Sequence, residues 1–311
     1  MRYRPFGSSG SAVSVLTLGL GRQALSRGSG AAEDLIFAAL EQGINSYVLQ
    51  TSDPVLAEVV GHALANVDRK LLNVTLTLGT GDGRRGSERD FSAEGMTGAI
   101  DRALHISGLG WFDTAILDQP AEEELAQSSL QALKALRATE RVKLLGVSGG
   151  DVVMDAYVST GAFDVLMTPF HVYSDWRVQS RVRAAREQDM AIMTYNYFPR
   201  ELHTPKDTAS LHASKQKKGF FGFGSGGRGK NDPLAGAGTF AFLHQTPNWT
   251  AQAICLGHAM TNPSIASVVV HANNPEELAM LATVPERDMP PGLSAQIEMA
   301  RISTSANREA A

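Results

Sequence analysis

The chain has 311 residues, of which 43% are apolar and 19% charged, and its net charge is −4 at pH 7. This balance is typical of a globular protein and argues against a disordered chain or a polycation that binds nucleic acid. The one cysteine, Cys255, excludes an intramolecular disulfide, and no stretch approaches the roughly 18 apolar residues of a membrane span. Because the first residues lack the apolar core of a signal peptide, we expect a cytoplasmic protein without a membrane partner.

The beginning of the chain predicts a hairpin, because turn residues, FGSSG, lie between two extended flanks. Beyond it, short β-rich runs alternate with segments of helical period. Strands are predicted at residues 15–18, 46–49, 72–77, 112–117, 143–147, 165–168, 191–195 and 267–270. Helices with one apolar face are predicted at residues 31–42, 93–104 and 125–138.

Eight strands with intervening helices over about 300 residues predict an α/β fold, a parallel (β/α)8 TIM barrel. A doubly wound open sheet is the alternative. We predict a single barrel domain over residues 1–285, with residues 203–248 as a long loop insertion rich in Gly, Phe and Lys, and residues 286–311 as a mobile tail. In a barrel of this kind, functional residues lie at the carboxyl ends of the strands.

Six segments together resemble the aldo-keto reductases. In chain order, the segments are MRYRPFGSSGSAVSVLTLGLG, AALEQGINSYVLQTSD, WFDTAILDQP, RVKLLGVSGG, FDVLMTPFHVY and VVVHANNPEEL. The first resembles the opening hairpin and first strand of the family, and the second its second helix and strand. The resemblance covers about residues 1–285. It implies a barrel with an N-terminal hairpin and a nicotinamide dinucleotide as cofactor, without a metal.

The resemblance also locates the four catalytic positions of the family. Its general acid is a tyrosine, supported by an aspartate and a lysine, while a histidine orients the substrate. In this sequence the aspartate position is Val48, the tyrosine position is Asp53, the lysine position is Thr77 and the histidine position is Asp118. All four are replaced, which predicts a protein without the family's catalysis. Asp53 and Asp118 are either a new acid/base pair or polar residues at the rim of a pocket that has lost its chemistry.

Several cofactor positions are retained near the strand ends. By resemblance, Tyr195 stacks on the nicotinamide ring, although it is equally interpreted as a buried aromatic residue. Ser148 matches the serine that holds the carboxamide, whereas Met167 replaces a glutamine. Asn196 and Phe198 lie in the segment that wraps the pyrophosphate in the family.

Glycines and a helix start complete the predicted cofactor site. Gly19 and Gly21 permit close approach of the backbone after the first barrel strand. A helix is predicted to begin at about residue 275, where Asn273 and Asn274 can cap it. Glu277 takes the position at which NADPH-preferring members carry an arginine. Because a carboxylate repels a 2′-phosphate, we expect NAD(H) over NADP(H), unless this glutamate is only a first-turn acid favoured by the helix dipole.

The stretch KQKKGFFGFGSGGRGKND differs from the rest of the sequence. Phenylalanines and lysines among glycines predict a lid over the barrel mouth, a docking patch for a protein partner, or a loop that packs locally on the barrel. The patch would comprise Phe220, Phe221, Phe223, Lys217 and Lys218.

The last two residues and the degenerate catalytic set suggest a regulatory role. Ala310 and Ala311 resemble the ends recognised by Clp-type proteases. Within the family, the chain most resembles members that have lost catalysis and regulate bacterial cytokinesis. That resemblance implies a regulator that acts on the division protein FtsZ and on a cell-cycle kinase, with recruitment to the division site. An active NAD-dependent oxidoreductase with altered chemistry and a cofactor-free scaffold are the alternatives.

Overall fold

The computed structural model describes residues 1–80, 89–203 and 238–309. Two short strands, β1 (Tyr3–Pro5) and β2 (Ala12–Ser14), form an antiparallel hairpin. Eight strands then close into a parallel barrel in the order in which they occur along the chain. They are β3 (Leu16–Leu20), β4 (Ser46–Leu49), β5 (Asn73–Leu78), β6 (Phe112–Asp118), β7 (Val142–Ser148), β8 (Val165–Pro169), β9 (Ala191–Tyr195) and β10 (Ser267–Val270). The closed barrel confirms the predicted fold and excludes the open sheet.

The helices lie between the strands and cover the outside of the barrel. They are α1 (Ser29–Glu41), α2 (Pro54–Leu64), α3 (Ala93–Ser107), α4 (Gln127–Ala138), α5 (Val153–Ser159), α6 (Trp176–Glu187), α7 (Ala251–Thr261), α8 (Pro275–Ala282) and α9 (Leu293–Glu309). Local sequence explains several of their ends. Ser92 caps α3 by accepting from the Gly95 N–H, and Gly108 ends that helix with a φ of 66°. In the described ranges, no helix has the length and apolar character to cross a bilayer.

The strands bury two sets of side chains because alternate residues point to opposite faces. Outward residues such as Leu18, Leu76 and Leu166 pack against the helices. Inward residues form a smaller cluster that includes Val48 and Ile116. The hairpin contributes Phe6 and Val13 to this inner cluster, so it plugs the amino-terminal end of the barrel.

The carboxyl-terminal region contains a helix where the sequence predicted a mobile tail. Helix α9 buries Leu293, Ile297 and Ala300, which recur at helical spacing, and packs against a 3-10 helix at Gly238–Gln245. That 3-10 helix belongs to the predicted loop insertion and buries Phe240 and Leu243. The predicted domain boundaries themselves stay a prediction.

Candidate functional site

The aspartate position of the predicted catalytic set lies inside the barrel. Val48 is fully buried in the inner cluster, where its neighbours include Ile116, Val165 and Met167. Its isopropyl group has no exchangeable proton, and its surroundings are apolar. This position therefore contributes to packing.

Asp53, at the tyrosine position, has a structural role. Asp53 directly precedes α2, and its Oδ1 accepts a hydrogen bond of 2.9 Å from the N–H of Val55. Pro54 follows at the first helical position, where the missing N–H costs nothing. Asp53 is therefore the N-cap of α2, and its carboxylate is already engaged.

Thr77 occupies the lysine position. Its side chain is 3% exposed, and its hydroxyl has no hydrogen-bond partner among the residues that the structure describes. A neutral hydroxyl cannot supply the positive charge that lowers the pKa of an acid in the family.

Asp118, at the histidine position, is a half-buried carboxylate at the end of β6. Burial raises its pKa, while the charge of Arg89 and a hydrogen bond with Gln119 lower it. Arg89 directs Nη2 to the carbonyl oxygens of Asp118 and Gln119, at 2.9 and 2.7 Å. Asp118 is therefore a titratable carboxyl group in a partly buried environment, at one of the four catalytic positions of the family.

A cleft of about 630 Å³ opens beside these positions, at the carboxyl ends of β3, β9 and β10. Seven of the ten residues predicted to hold a cofactor line it: Gly19, Gly21, Asn196, Phe198, Asn273, Asn274 and Glu277. The structure thus brings together residues that are up to about 250 positions apart in the sequence.

The two glycines shape the wall of the cleft. A Cβ at Gly19 would lie 2.6 Å from His271 Nε2, and one at Gly21 would lie 2.8 Å from Gln50 Oε1. Side chains at these positions would displace their neighbours. The two glycines therefore allow His271 and Gln50 to pack closely against the backbone at the wall of the cleft.

The start of α8 forms the opposite wall. Asn274 caps the helix by accepting from the Glu277 N–H at 2.8 Å. Glu277 reaches back, and its Oε2 accepts from the N–H and the Nδ2 of Asn273, at 2.8 and 2.9 Å. The glutamate thus stabilises the helix start, as the structural alternative held, while its negative charge stays at the wall of the cleft.

The three other predicted cofactor residues lie deeper, at the ends of β7, β8 and β9. Met167 is buried in the inner cluster, against which the half-buried Tyr195 packs. Burial raises the pKa of the Tyr195 hydroxyl, whereas a hydrogen bond with Ser148 lowers it. Tyr195 and Ser148 therefore come together at the barrel mouth.

Comparison with known proteins rests on structure, since no family model and no curated protein matches the sequence. Among solved structures, the chain is similar to "aldo-keto reductase AKR11C1 from Bacillus halodurans (holo form)". The TM-score is 0.75, the identity 16%, and the alignment covers 96% of each chain. The chain has the aldo-keto reductase fold. At this identity, the likeness defines the fold alone.

Two histidines that line the cleft, His203 and His271, were not identified as site residues from the sequence. His271 follows β10 directly and lines the cleft, where surrounding protein atoms lower its pKa although solvent reaches it through the opening. His203 also lines the cleft and stacks on Phe198, with 4.6 Å between ring centres. The position of His271 after a strand was an available signal, whereas His203 follows no strand and carried none.

The predicted docking patch and protease signal stay predictions. Phe220, Phe221, Phe223, Lys217 and Lys218 lie outside the described residues, as do Ala310 and Ala311.

Proposed function

We propose that this protein is an NAD(H)-binding homologue of the aldo-keto reductases that regulates other proteins and does not catalyse a reduction. One observation carries the proposal: the cleft beside the barrel mouth is assembled, whereas the catalytic positions hold Val48, Asp53, Thr77 and Asp118. The chain therefore has a cleft suited to binding without the catalytic residues of the family.

The cleft suits a dinucleotide in shape and in chemistry. Gly19 and Gly21 leave one wall of the cleft without side chains, and the amino-terminal end of α8 brings the positive end of its helix dipole to the cleft, which favours phosphates. Tyr195 offers a ring at the barrel mouth for the nicotinamide, with Ser148 beside it. A bound nicotinamide would supply or accept hydride, and the residues around it hold and orient it.

The charge of Glu277 supports NAD(H) as the ligand. Its carboxylate lies at the wall of the cleft and is bound to Asn273. A 2′-phosphate would bring a second negative group beside this carboxylate, and the nearby guanidinium of Arg27, which donates to the Asn273 carbonyl at 3.2 Å, would offset part of the repulsion. We therefore propose that NADH binds more tightly than NADPH.

Regulation of cell division is the function that the sequence supports best. The chain resembles KidO, a reductase homologue that regulates cytokinesis, and this resemblance supports FtsZ and a cell-cycle kinase as partners. By the same argument, the protein acts in the cytoplasm and at the division site, and a Clp-type protease limits its lifetime. In this proposal, NAD(H) stabilises the form of the protein that the partner binds.

Asp118 supports a second candidate, an oxidoreductase with altered chemistry. Burial favours the protonated form of this carboxyl, and a protonated carboxyl can donate a proton. Turnover of a panel of aldehydes and ketones with NADH, lost in Asp118→Asn, would establish that candidate. No turnover at high enzyme concentration would exclude those substrates.

The first experiment is a calorimetric titration of NADH and NADPH into the wild-type protein and two variants. Glu277→Gln keeps an oxygen for Asn273 and removes the charge, while Glu277→Arg reverses the charge. We expect NADPH binding to strengthen by about tenfold in the arginine variant and by less in the glutamine variant. Binding of neither dinucleotide to the wild-type protein would favour the cofactor-free scaffold.

Partner binding needs its own measurement. Sedimentation of FtsZ polymers with the protein, with and without NADH, tests both the partner and the effect of the cofactor. We expect an effect on sedimentation that NADH strengthens and that Tyr195→Ala weakens. An effect that is identical without NADH would exclude cofactor sensing but leave FtsZ as a partner.

A further inference from the structure

A groove between α5 and α6 lies outside the cofactor cleft and belongs to none of the predicted sites. It has a volume of about 420 Å³. Val152 and Asp155 lie on one side, and Trp176, Arg177 and Arg181 lie on the other. The groove therefore combines apolar and cationic side chains on the outer surface of the barrel.

The apolar part of the groove is open to solvent. Trp176 is 71% exposed and Val152 is 64% exposed, and the two residues stand at the beginning of neighbouring helices. An exposed tryptophan keeps a large apolar surface in water, which is unfavourable unless another molecule covers it. Tryptophan and arginine are also the residues that dominate binding energy at protein interfaces.

One exposed cationic side chain, Arg177, lies beside this apolar surface. Helix α6 has four arginines and one glutamate in a chain whose net charge is −4. The guanidinium of Arg177 lies over the Trp176 ring at 5.6 Å and is exposed. Two nearby acids are engaged, because Asp175 caps α6 and Asp155 pairs with Arg181. Arg177 is the exposed cation that lines the groove, and a guanidinium favours a carboxylate as its next ligand.

Arg181 forms the buried floor of the groove. It is 4% exposed, and it donates from Nε to Asp155 Oδ1 at 2.5 Å and from Nη2 to the Asp151 carbonyl at 2.6 Å. Its Nη1 is buried and has no hydrogen-bond partner within the described parts of the chain. A buried donor without an acceptor is unfavourable, so the hydrogen bonding of this guanidinium is incomplete although its charge is paired with Asp155.

We propose that this groove binds an acidic segment of a partner protein. An apolar side chain of the segment covers Trp176 and Val152, and an adjacent carboxylate pairs with Arg177 above the Arg181 floor. This surface is defined without the cofactor cleft, so it stands whether or not the chain binds a dinucleotide.

Selection of displayed peptides tests the proposal. Random peptides of roughly 12 residues can span the groove in extended form. They are selected on the full chain and counter-selected on Trp176→Ala. We expect enriched peptides that combine Asp or Glu with an aromatic or aliphatic residue. Enrichment of basic peptides, or of none, would overturn the proposal.

Fluorescence anisotropy of the best labelled peptide then locates its site. We expect Trp176→Ala and Arg177→Glu each to weaken binding by about tenfold or more, as substitutions at interface hot spots do. Arg183→Glu is the matched control, because Arg183 is an exposed residue of the same helix that does not line the groove. We expect it to change the affinity less than about twofold. Equal losses in Arg177→Glu and Arg183→Glu would mean non-specific charge attraction and would contradict the proposal.

Discussion

The two sides of the barrel mouth differ in how far they match the functional residues of the aldo-keto reductases. At the ends of β4, β5 and β6 lie the four positions that are catalytic by resemblance, including the buried Val48 and Thr77, whose hydroxyl has no hydrogen-bond partner within the described ranges. At the ends of β3, β9 and β10 lies a cleft whose walls are glycine backbone and a capped helix start. One side lacks the four residues that the resemblance leads one to expect, and the other has an open cleft.

This difference follows from the kind of atom that each side depends on. Acid catalysis needs a particular side-chain group at a particular position, so one substitution removes it. Phosphate binding in the proposed function needs only backbone, room and a helix dipole, which the small residues Gly19 and Gly21 and the start of α8 supply without reactive side chains. A binding site of this type does not depend on the residues at the four catalytic positions.

Restoring the aspartate at Val48 tests how far the catalytic side has changed. Val48→Asp would place a carboxylate among apolar residues without a lysine to pair with, so we expect a loss of about 4 kcal/mol in the free energy of unfolding. Urea denaturation at neutral pH measures it. Val48→Ala is the control for lost volume and should cost about 2 kcal/mol. An aspartate variant as stable as the wild-type protein would show that water reaches this position.

On the other side, Gly19→Val tests whether the cleft binds a ligand at all. The new side chain would meet His271 and Val269, so we expect the affinity for NADH to fall by about 100-fold, measured by calorimetry. Gly30→Ala is the matched control, because a Cβ at Gly30 meets no other atom within 4 Å. Unchanged NADH affinity in Gly19→Val would place the dinucleotide elsewhere.

Tyr195 lies where the two sides meet. We expect Tyr195→Ala to weaken NADH binding by about tenfold, because the ring offers a flat apolar surface. Tyr195→Phe keeps that surface and removes only the hydroxyl that bonds to Ser148, so its affinity should stay near that of the wild-type protein. Equal losses in the two variants would assign the effect to the hydroxyl.

The smallest expected effect concerns Asp53. Asp53→Ala removes the N-cap of α2 and should lower the free energy of unfolding by about 1 kcal/mol. Asp53→Asn keeps an oxygen for the Val55 N–H and should lose less. Neither variant should alter NADH affinity. A large loss of affinity in both would indicate that Asp53 contributes to the ligand site.

The strands could be predicted because each is a short apolar, β-rich run between turn signals, and all eight runs form the barrel. Helix α9 was missed although Leu293, Ile297 and Ala300 recur at helical spacing, since the polar residues around them suggested a mobile segment. The sequence could not decide between the two roles of Glu277, helix capping and ligand contact, for another reason. A carboxylate in the first turn of a helix can cap it or contact a ligand, and only the folded chain shows that it bonds to Asn273.

The hairpin at the beginning of the chain closes the amino-terminal end of the barrel, where Phe6 and Val13 pack against the inward residues of the strands. The interior is filled by these side chains, as in other barrels of this kind. A ligand at the carboxyl ends of the strands is therefore approached from one face, and a dinucleotide bound in the cleft would cover part of that face. A second ligand bound beneath the dinucleotide could leave only after it, so the residence time of the dinucleotide would set the lifetime of the inner complex.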